Sequence, residues 1–139
     1  MEKTMRVLLL FISMIFFIGC GGGKYDDAIE VNKDFIKITE EYTQDLEKAE
    51  SGKAVAKAMD NYTEKFAKLA PKMKEINEKY PDIKNDKDVP AEFREMEEKV
   101  QQAGVKLAGS FMKILKYMTD PDVIEAHKKM TQSMLGMNK

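Results

Sequence analysis

The sequence of 139 residues contains one cysteine, one histidine and no tryptophan. A single cysteine excludes an intramolecular disulfide and a Cys-x-x-Cys-His haem site, and one histidine cannot supply the paired ligands of a di-iron bundle. The same counts exclude zinc sites built from several cysteines and histidines. Catalysis by a nucleophile and a base would depend on His127 alone. We therefore predict a chain that is not an enzyme and that needs no cofactor.

The chain also lacks an excess of charge of one sign. It has 23 basic and 24 acidic residues, for a net charge of −1 at pH 7. Such a balance provides no basic field for binding nucleic acid and no polybasic patch for anionic lipid. No Gly-rich phosphate loop occurs, because the run Gly21 to Gly23 is not followed by Gly-Lys-Ser/Thr. We predict no nucleic-acid partner.

One apolar run stands near the start of the chain. Residues 7–18 carry no charge and follow Lys3 and Arg6. The run is shorter than the roughly 20 apolar residues that a spanning helix needs. A basic start followed by a short apolar block and small residues is typical of a signal peptide. We predict that residues 1–19 are a signal peptide that is removed on export.

The motif Phe17-Ile18-Gly19-Cys20 ends this run and resembles the lipobox of bacterial lipoproteins. The resemblance implies cleavage between Gly19 and Cys20, lipid on the Cys20 sulfur, and attachment to a membrane of the cell envelope. Gly21 after the cysteine implies the outer membrane, if the bacterium has two membranes. The alternative is a chance cysteine after an ordinary signal peptide or a short membrane anchor. In the lipoprotein interpretation, residues 20–24 form a lipidated, glycine-rich tether.

Residues 25–139 have the apolar spacing of helices almost throughout, with steps of three and four residues. The predicted inner face of each of four segments is as follows: Tyr25, Ala28, Ile29, Asn32, Phe35, Ile36, Thr39, Tyr42, Leu46 and Ala49; Val55, Met59, Tyr62, Phe66, Leu69, Met73, Ile76 and Tyr80; Phe93, Met96, Val100, Ala103, Leu107, Phe111, Ile114 and Met118; Ile124, His127, Met130, Met134 and Met137.

Turn signals separate these segments. Ser51-Gly52 predicts the end of the first helix, with the glycine as a left-handed cap. Pro71 predicts a kink in a single second helix, because the apolar stripe keeps its phase across it. Residues 80–89 form a polar loop, and Asp120-Pro121 predicts an N-cap and first turn. We predict one all-α domain, an antiparallel four-helix bundle of three long helices and a shorter fourth, open or partner-covered at one end.

The last segment brings His127, Met130, Met134 and Met137 to one helix face at spacings of 3, 4 and 3. Imidazole and thioether ligands suit Cu(I), which an exported protein can meet. Methionine is also a flexible core filler, and eight of the eleven methionines follow the predicted signal peptide, most of them on predicted core faces. We favour packing over a copper site for this stripe.

Gly104 and Ala108 are small residues four apart in the third segment. Small residues on one face let another helix come close. They predict a dimer contact or partner groove on the third helix. The alternative, which we favour, is local packing within the bundle or a slight bend of the helix.

The leading functional hypothesis is a non-enzymatic envelope lipoprotein, tethered by lipid, whose bundle binds another envelope protein or serves as a structural spacer. The alternative is a carrier of a small ligand or of Cu(I), using the bundle interior or the His127/Met face.

Overall fold

The computed structural model describes residues 23–136, so the predicted signal peptide, Gly19, Cys20 and Met137 lie outside the described residues. Four α-helices form this part of the chain: α1 (Asp26–Lys48), α2 (Gly52–Lys79), α3 (Ala91–Lys116) and α4 (Pro121–Gly136). A short 3-10 helix (Ile83–Asn85) lies in the connection from α2 to α3, and no strand occurs within residues 23–136. The predicted all-α class, with three long helices and a shorter fourth, is confirmed.

The predicted stripes become two apolar cores. The larger core joins all four helices, and Leu46, Val55, Met59 and Val123 are completely buried in it. Burying a side chain of this size contributes about 1.5–3 kcal/mol. A smaller core at the other end contains Tyr25, Ala28, Ile29, Phe93 and Met96. Tertiary packing of amphipathic faces therefore stabilises the helices.

Pro71 does not end α2, which continues as one helix of 28 residues. Proline removes the hydrogen bond to the carbonyl four residues earlier, at Ala67. Both residues are exposed, so water can hydrate that carbonyl. The prediction of a single helix across Pro71 is confirmed.

The predicted cap at Gly52 is wrong. α1 ends at Lys48 with Ala49 in an extended conformation, and no glycine among residues 23–136 has positive φ. Ser51 instead caps α2, where its Oγ accepts a hydrogen bond from the backbone N–H of Ala54 at 3.2 Å. The serine cap satisfies a free donor of the new helix, and Gly52 becomes its first residue.

Short connections make successive helices antiparallel and define two ends. The tether pole contains the start of α1, the end of α2 and residues 80–90, and the distal pole contains residues 49–51 and 117–120. α1 packs closely against α2 and α3, and α2 packs against α4. α4 has 16 residues and is about 24 Å long, whereas α2 has 28 residues and is about 42 Å long. In this part of the chain α3 is not among the helices that pack closely against α4, so the bundle is open along the side between α3 and α4.

Candidate functional site

An apolar groove of about 420 Å³ occupies the open side between α3 and α4. We call it the α3–α4 groove. Its lining residues are Tyr42, Met59, Tyr62, Gly104, Leu107, Ala108, Phe111, Ile114, His127, Met130 and Met134. None of them carries a carboxylate, an ammonium or a guanidinium group. A cavity of this size with an apolar lining and a few polar atoms is typical of binding sites in helical bundles.

Two tyrosines from α1 and α2 form the floor of the groove. The rings of Tyr42 and Tyr62 stack, with centroids 4.5 Å apart and an interplanar angle of 21°. Burial raises the pKa of both phenols, so their hydroxyls stay neutral. Within the described part of the chain, the buried Tyr42 hydroxyl has no hydrogen-bond partner. An unpaired buried hydroxyl destabilises the folded state.

The α4 wall corrects the predicted inner face of that helix. Val123 and Ala126 are the buried residues, whereas Ile124 is 53% exposed and His127 is also exposed. The helix is thus turned by about one residue from the predicted face. The small Ala126 side chain explains this turn, because it lets α4 lie close to α2. The longer side chains His127, Met130 and Met134 then line the groove, and Met130 also packs against the larger core.

The predicted metal ligands can be followed in part. His127, Met130 and Met134 share the groove with Met59 from α2. Met137 lies outside the described residues. Within residues 23–136, no three His, Cys, Asp or Glu side chains come together as ligands for a metal ion. A soft site of thioethers and one imidazole stays a prediction.

Gly104 and Ala108 both line the α3 wall. A Cβ atom added at Gly104 would meet no other atom within 4 Å, and the same holds at Gly109. Packing against the neighbouring helices in the described part of the chain therefore does not require glycine at position 104. The two small residues instead widen the groove from the α3 side. Phe111 and Met134, which are 47% and 37% exposed, form its edges.

Apart from the apolar groove, a polar cluster that was not foreseen from the sequence holds the first residues of the domain at the tether pole. The hydroxyl of the buried Tyr25 donates to Asp86 Oδ2, and Lys24 Nζ lies 3.1 Å from the same oxygen. The Tyr80 hydroxyl has two acceptors for its one proton, the backbone oxygen of Lys24 at 2.6 Å and Asp27 Oδ1 at 2.9 Å. The only sign of this cluster in the sequence was that Tyr25 begins one apolar stripe and Tyr80 ends another. This cluster, the tether latch, fixes where the chain enters the bundle.

None of the helices in residues 23–136 combines the length and the apolar character that a membrane span requires. Comparison with known proteins found no matching family model, no similar curated protein and no similar solved structure. The groove and the tether latch are therefore interpreted from their own residues.

Proposed function

We propose that this chain is the precursor of a bacterial envelope lipoprotein whose helical domain binds an amphipathic helix of another envelope protein in the α3–α4 groove. The observation that carries the proposal is the open side of the bundle, where an apolar groove takes the place of a helix contact. An amphipathic helix docks in such grooves through apolar residues on one face.

The surroundings of the groove favour a helix over a small molecule. Ile124 and Leu135 of α4 are 53% and 62% exposed and lie outside the groove lining. A small molecule would leave both in water, whereas a helix lying along α4 would cover them. Gly104 and Ala108 let a helix backbone approach α3 closely. Met130 and Met134 in the lining are partly exposed and provide flexible side chains that adapt to the shape of a partner.

The predicted lipid anchor determines which end of the domain is held at the membrane. Lipid on Cys20 would leave only residues 21–23 between the anchor and the tether latch. Along α3, Gly104 is about 20 Å and Ile114 about 35 Å from the tether pole. The groove would therefore lie along the bundle, away from the end of the domain that carries the lipid.

A non-enzymatic role fits the same residues. His127, the only histidine of the chain, lies beside an apolar groove whose lining includes no acid to orient or charge it. A general base normally has such a partner or a substrate-binding polar group nearby.

Photocrosslinking in cells tests the proposal with the full-length chain. A photoreactive residue at Ile124 should capture one envelope protein, whereas the same residue at the exposed Lys72, on another face of α2, should not. Gly104→Leu should fill the groove and abolish capture. Gly109→Leu is the matched control, because its Cβ also has free space but Gly109 is outside the groove lining. Equal capture from both positions, or capture that survives Gly104→Leu, would contradict the proposal.

The unpartnered Tyr42 hydroxyl favours a second candidate function, carriage of a small apolar ligand with one hydrogen-bond acceptor. The groove volume of about 420 Å³ lies within the range of small-molecule sites. A fluorescent fatty acid would then bind, and Tyr42→Phe would weaken its binding several-fold. If the carried ligand is instead Cu(I), His127, Met130 and Met134 would bind it. Met130→Leu should then lower the affinity for Cu(I) in a titration, and an unchanged affinity would contradict this hypothesis.

A further inference from the structure

The distal half of α3 has a second apolar stripe, separate from the one that faces the core. Val105, Ala108, Met112 and Leu115 follow one another in steps of three, four and three residues. Val105 is 73% exposed, Met112 71% and Leu115 46%. Steps of three and four along an exposed face are typical of the seam between two packed helices. We call these four residues the outer seam.

The surroundings of the outer seam are poor in charge. Between residues 100 and 115 the only charged residues are Lys106 and Lys113, although 34% of the chain is charged. Lys113 Nζ donates to the backbone oxygen of Glu47 in α1 at 3.3 Å. Lys106 Nζ lies 3.9 Å from Glu40 Oε1 of α1, on the side of α3 that faces α1. A helix face that is exposed only to water normally carries charged residues, so the lack of charge here indicates that this face is covered.

Charges of opposite sign stand at the two ends of the outer seam. Glu98 and Lys116 are eighteen residues apart, which is five helical turns, so they lie on the same side of α3. Both are exposed, and neither has an ion-pair partner within the described part of the chain. More widely, the first half of α3 is rich in Glu, whereas no acidic residue occurs between Lys99 and Thr119. The helix dipole favours acidic residues at the start of α3 and basic residues at its end, but it does not explain the exposed apolar stripe between Glu98 and Lys116.

We propose that two copies of this chain pair through the outer seams of α3 in antiparallel orientation, around a two-fold axis near Leu107. Glu98 of each copy then faces Lys116 of the other, and Gln101 faces Met112. In a parallel pair the same residues would meet their own copies, which places like charges together. Ala108 at the centre of the seam lets the two helices approach closely. The pairing is centred on the neighbouring face of α3, which shares only Ala108 with the groove lining, and it does not depend on the proposed function.

This arrangement is compatible with two lipid anchors in one membrane. The two tether poles would lie at opposite ends of the dimer. With the two-fold axis perpendicular to the membrane, both bundles lie along the surface and both tethers reach it.

Cysteine crosslinking of the full chain in cells tests the register. Two differently tagged copies are expressed together, one with Gln101→Cys and one with Met112→Cys. We expect a disulfide between them on oxidation. Met112→Cys alone should not form one, because the two copies of residue 112 would be about 15 Å apart along the helix axes. The unmutated chain, with Cys20 as its only cysteine, is the background control.

Charge exchange provides a second test that does not alter the core. Glu98→Lys and Lys116→Glu should each weaken dimerisation about tenfold, since each replaces two attractive contacts by repulsion. The double variant should restore it, and Glu78→Lys, on the exposed face of α2, should have no effect. Efficient linking of Met112→Cys to itself would overturn the antiparallel pairing. A monomer, or linkage of these cysteines only to another protein, would overturn the dimer itself. Gly104→Leu should leave the crosslink intact, so failure of the groove proposal and failure of the dimer are distinguishable.

Discussion

Gly52, the first residue of α2, lies directly against the carboxylate of Asp120 at the start of α4. A Cβ atom at position 52 would overlap the Asp120 side chain. The same carboxylate accepts a hydrogen bond from the backbone N–H of Asp122 at 3.0 Å and so caps α4. One aspartate therefore begins a helix and closes the distal pole, which only glycine at position 52 allows.

Gly52→Ala should lower the free energy of unfolding by about 1–2 kcal/mol, because the new methyl group displaces the cap of α4. Gly109→Ala is the matched substitution in open space within α3 and should raise it by about 0.5–1 kcal/mol through helix propensity. Denaturant unfolding of a Cys20→Ser form measures both. If Gly52→Ala stabilised the domain as much as Gly109→Ala, the close contact between Gly52 and Asp120 would not be required for capping α4.

Two methionines should respond differently to the same truncation. Met59 is completely buried, whereas Met112 is 71% exposed. Met59→Ala should cost about 2–5 kcal/mol because it leaves a cavity in the larger core. Met112→Ala should change the unfolding free energy of the monomer by about 0.5 kcal/mol or less. Unfolding at low protein concentration measures both effects without contributions from self-association.

Two tyrosine hydroxyls should affect stability in opposite directions. Tyr42→Phe removes a buried hydroxyl that has no partner in residues 23–136 and should stabilise the domain by about 1 kcal/mol. Tyr25→Phe breaks the hydrogen bond to Asp86 and should destabilise it by about 1 kcal/mol. Both changes delete one oxygen atom, so each is a control for the other. A loss of stability in Tyr42→Phe would indicate a bound water or ligand at that hydroxyl.

The tether latch should make stability sensitive to acid. The Tyr25 hydroxyl, the Asp88 N–H and Lys24 lower the pKa of Asp86 from 3.8 to about 2. Because the folded pKa is below the unfolded value, this stabilisation is complete above pH 3.8 and is lost as the pH falls towards 2.

Asp86→Asn should therefore flatten the decrease of the unfolding temperature between about pH 4 and pH 2. Lys79 similarly lowers the pKa of Asp27, so part of the decrease should remain. Thermal unfolding followed by circular dichroism at several pH values measures the slope. An unchanged slope would show that Asp86 does not stabilise the fold through its charge.

Much of the fold follows from local pattern. The spacing of Val55, Met59 and Tyr62 predicts the buried face of α2, and Asp120-Pro121 predicts the start of α4, both as observed. These features depend on residues three or four positions apart, which interact within a single turn. The small-residue pair and the His127/Met face were also visible in the sequence, but as unrelated features of two helices.

Other features depended on contacts between distant parts of the chain. Apolar periodicity placed Ile124 and Phe111 on inner faces, but each is about half exposed in the bundle. A helix with apolar residues on more than one face can turn either face inward, and the depth of packing against its neighbours selects between them.

The sequence by itself determined the helices, their amphipathic faces, the lipobox-like start and the absence of the residues that common catalytic and metal sites need. Only the tertiary structure decided that α3 and α4 stay apart, that Gly104 and Met130 line one groove, and that Tyr25 binds Asp86. The physical reason is the difference between interactions of residues close in sequence and interactions of residues distant in sequence. Helix formation is governed by neighbours along the chain, whereas the gap between two helices depends on the length of α4 and on side chains that meet across the bundle.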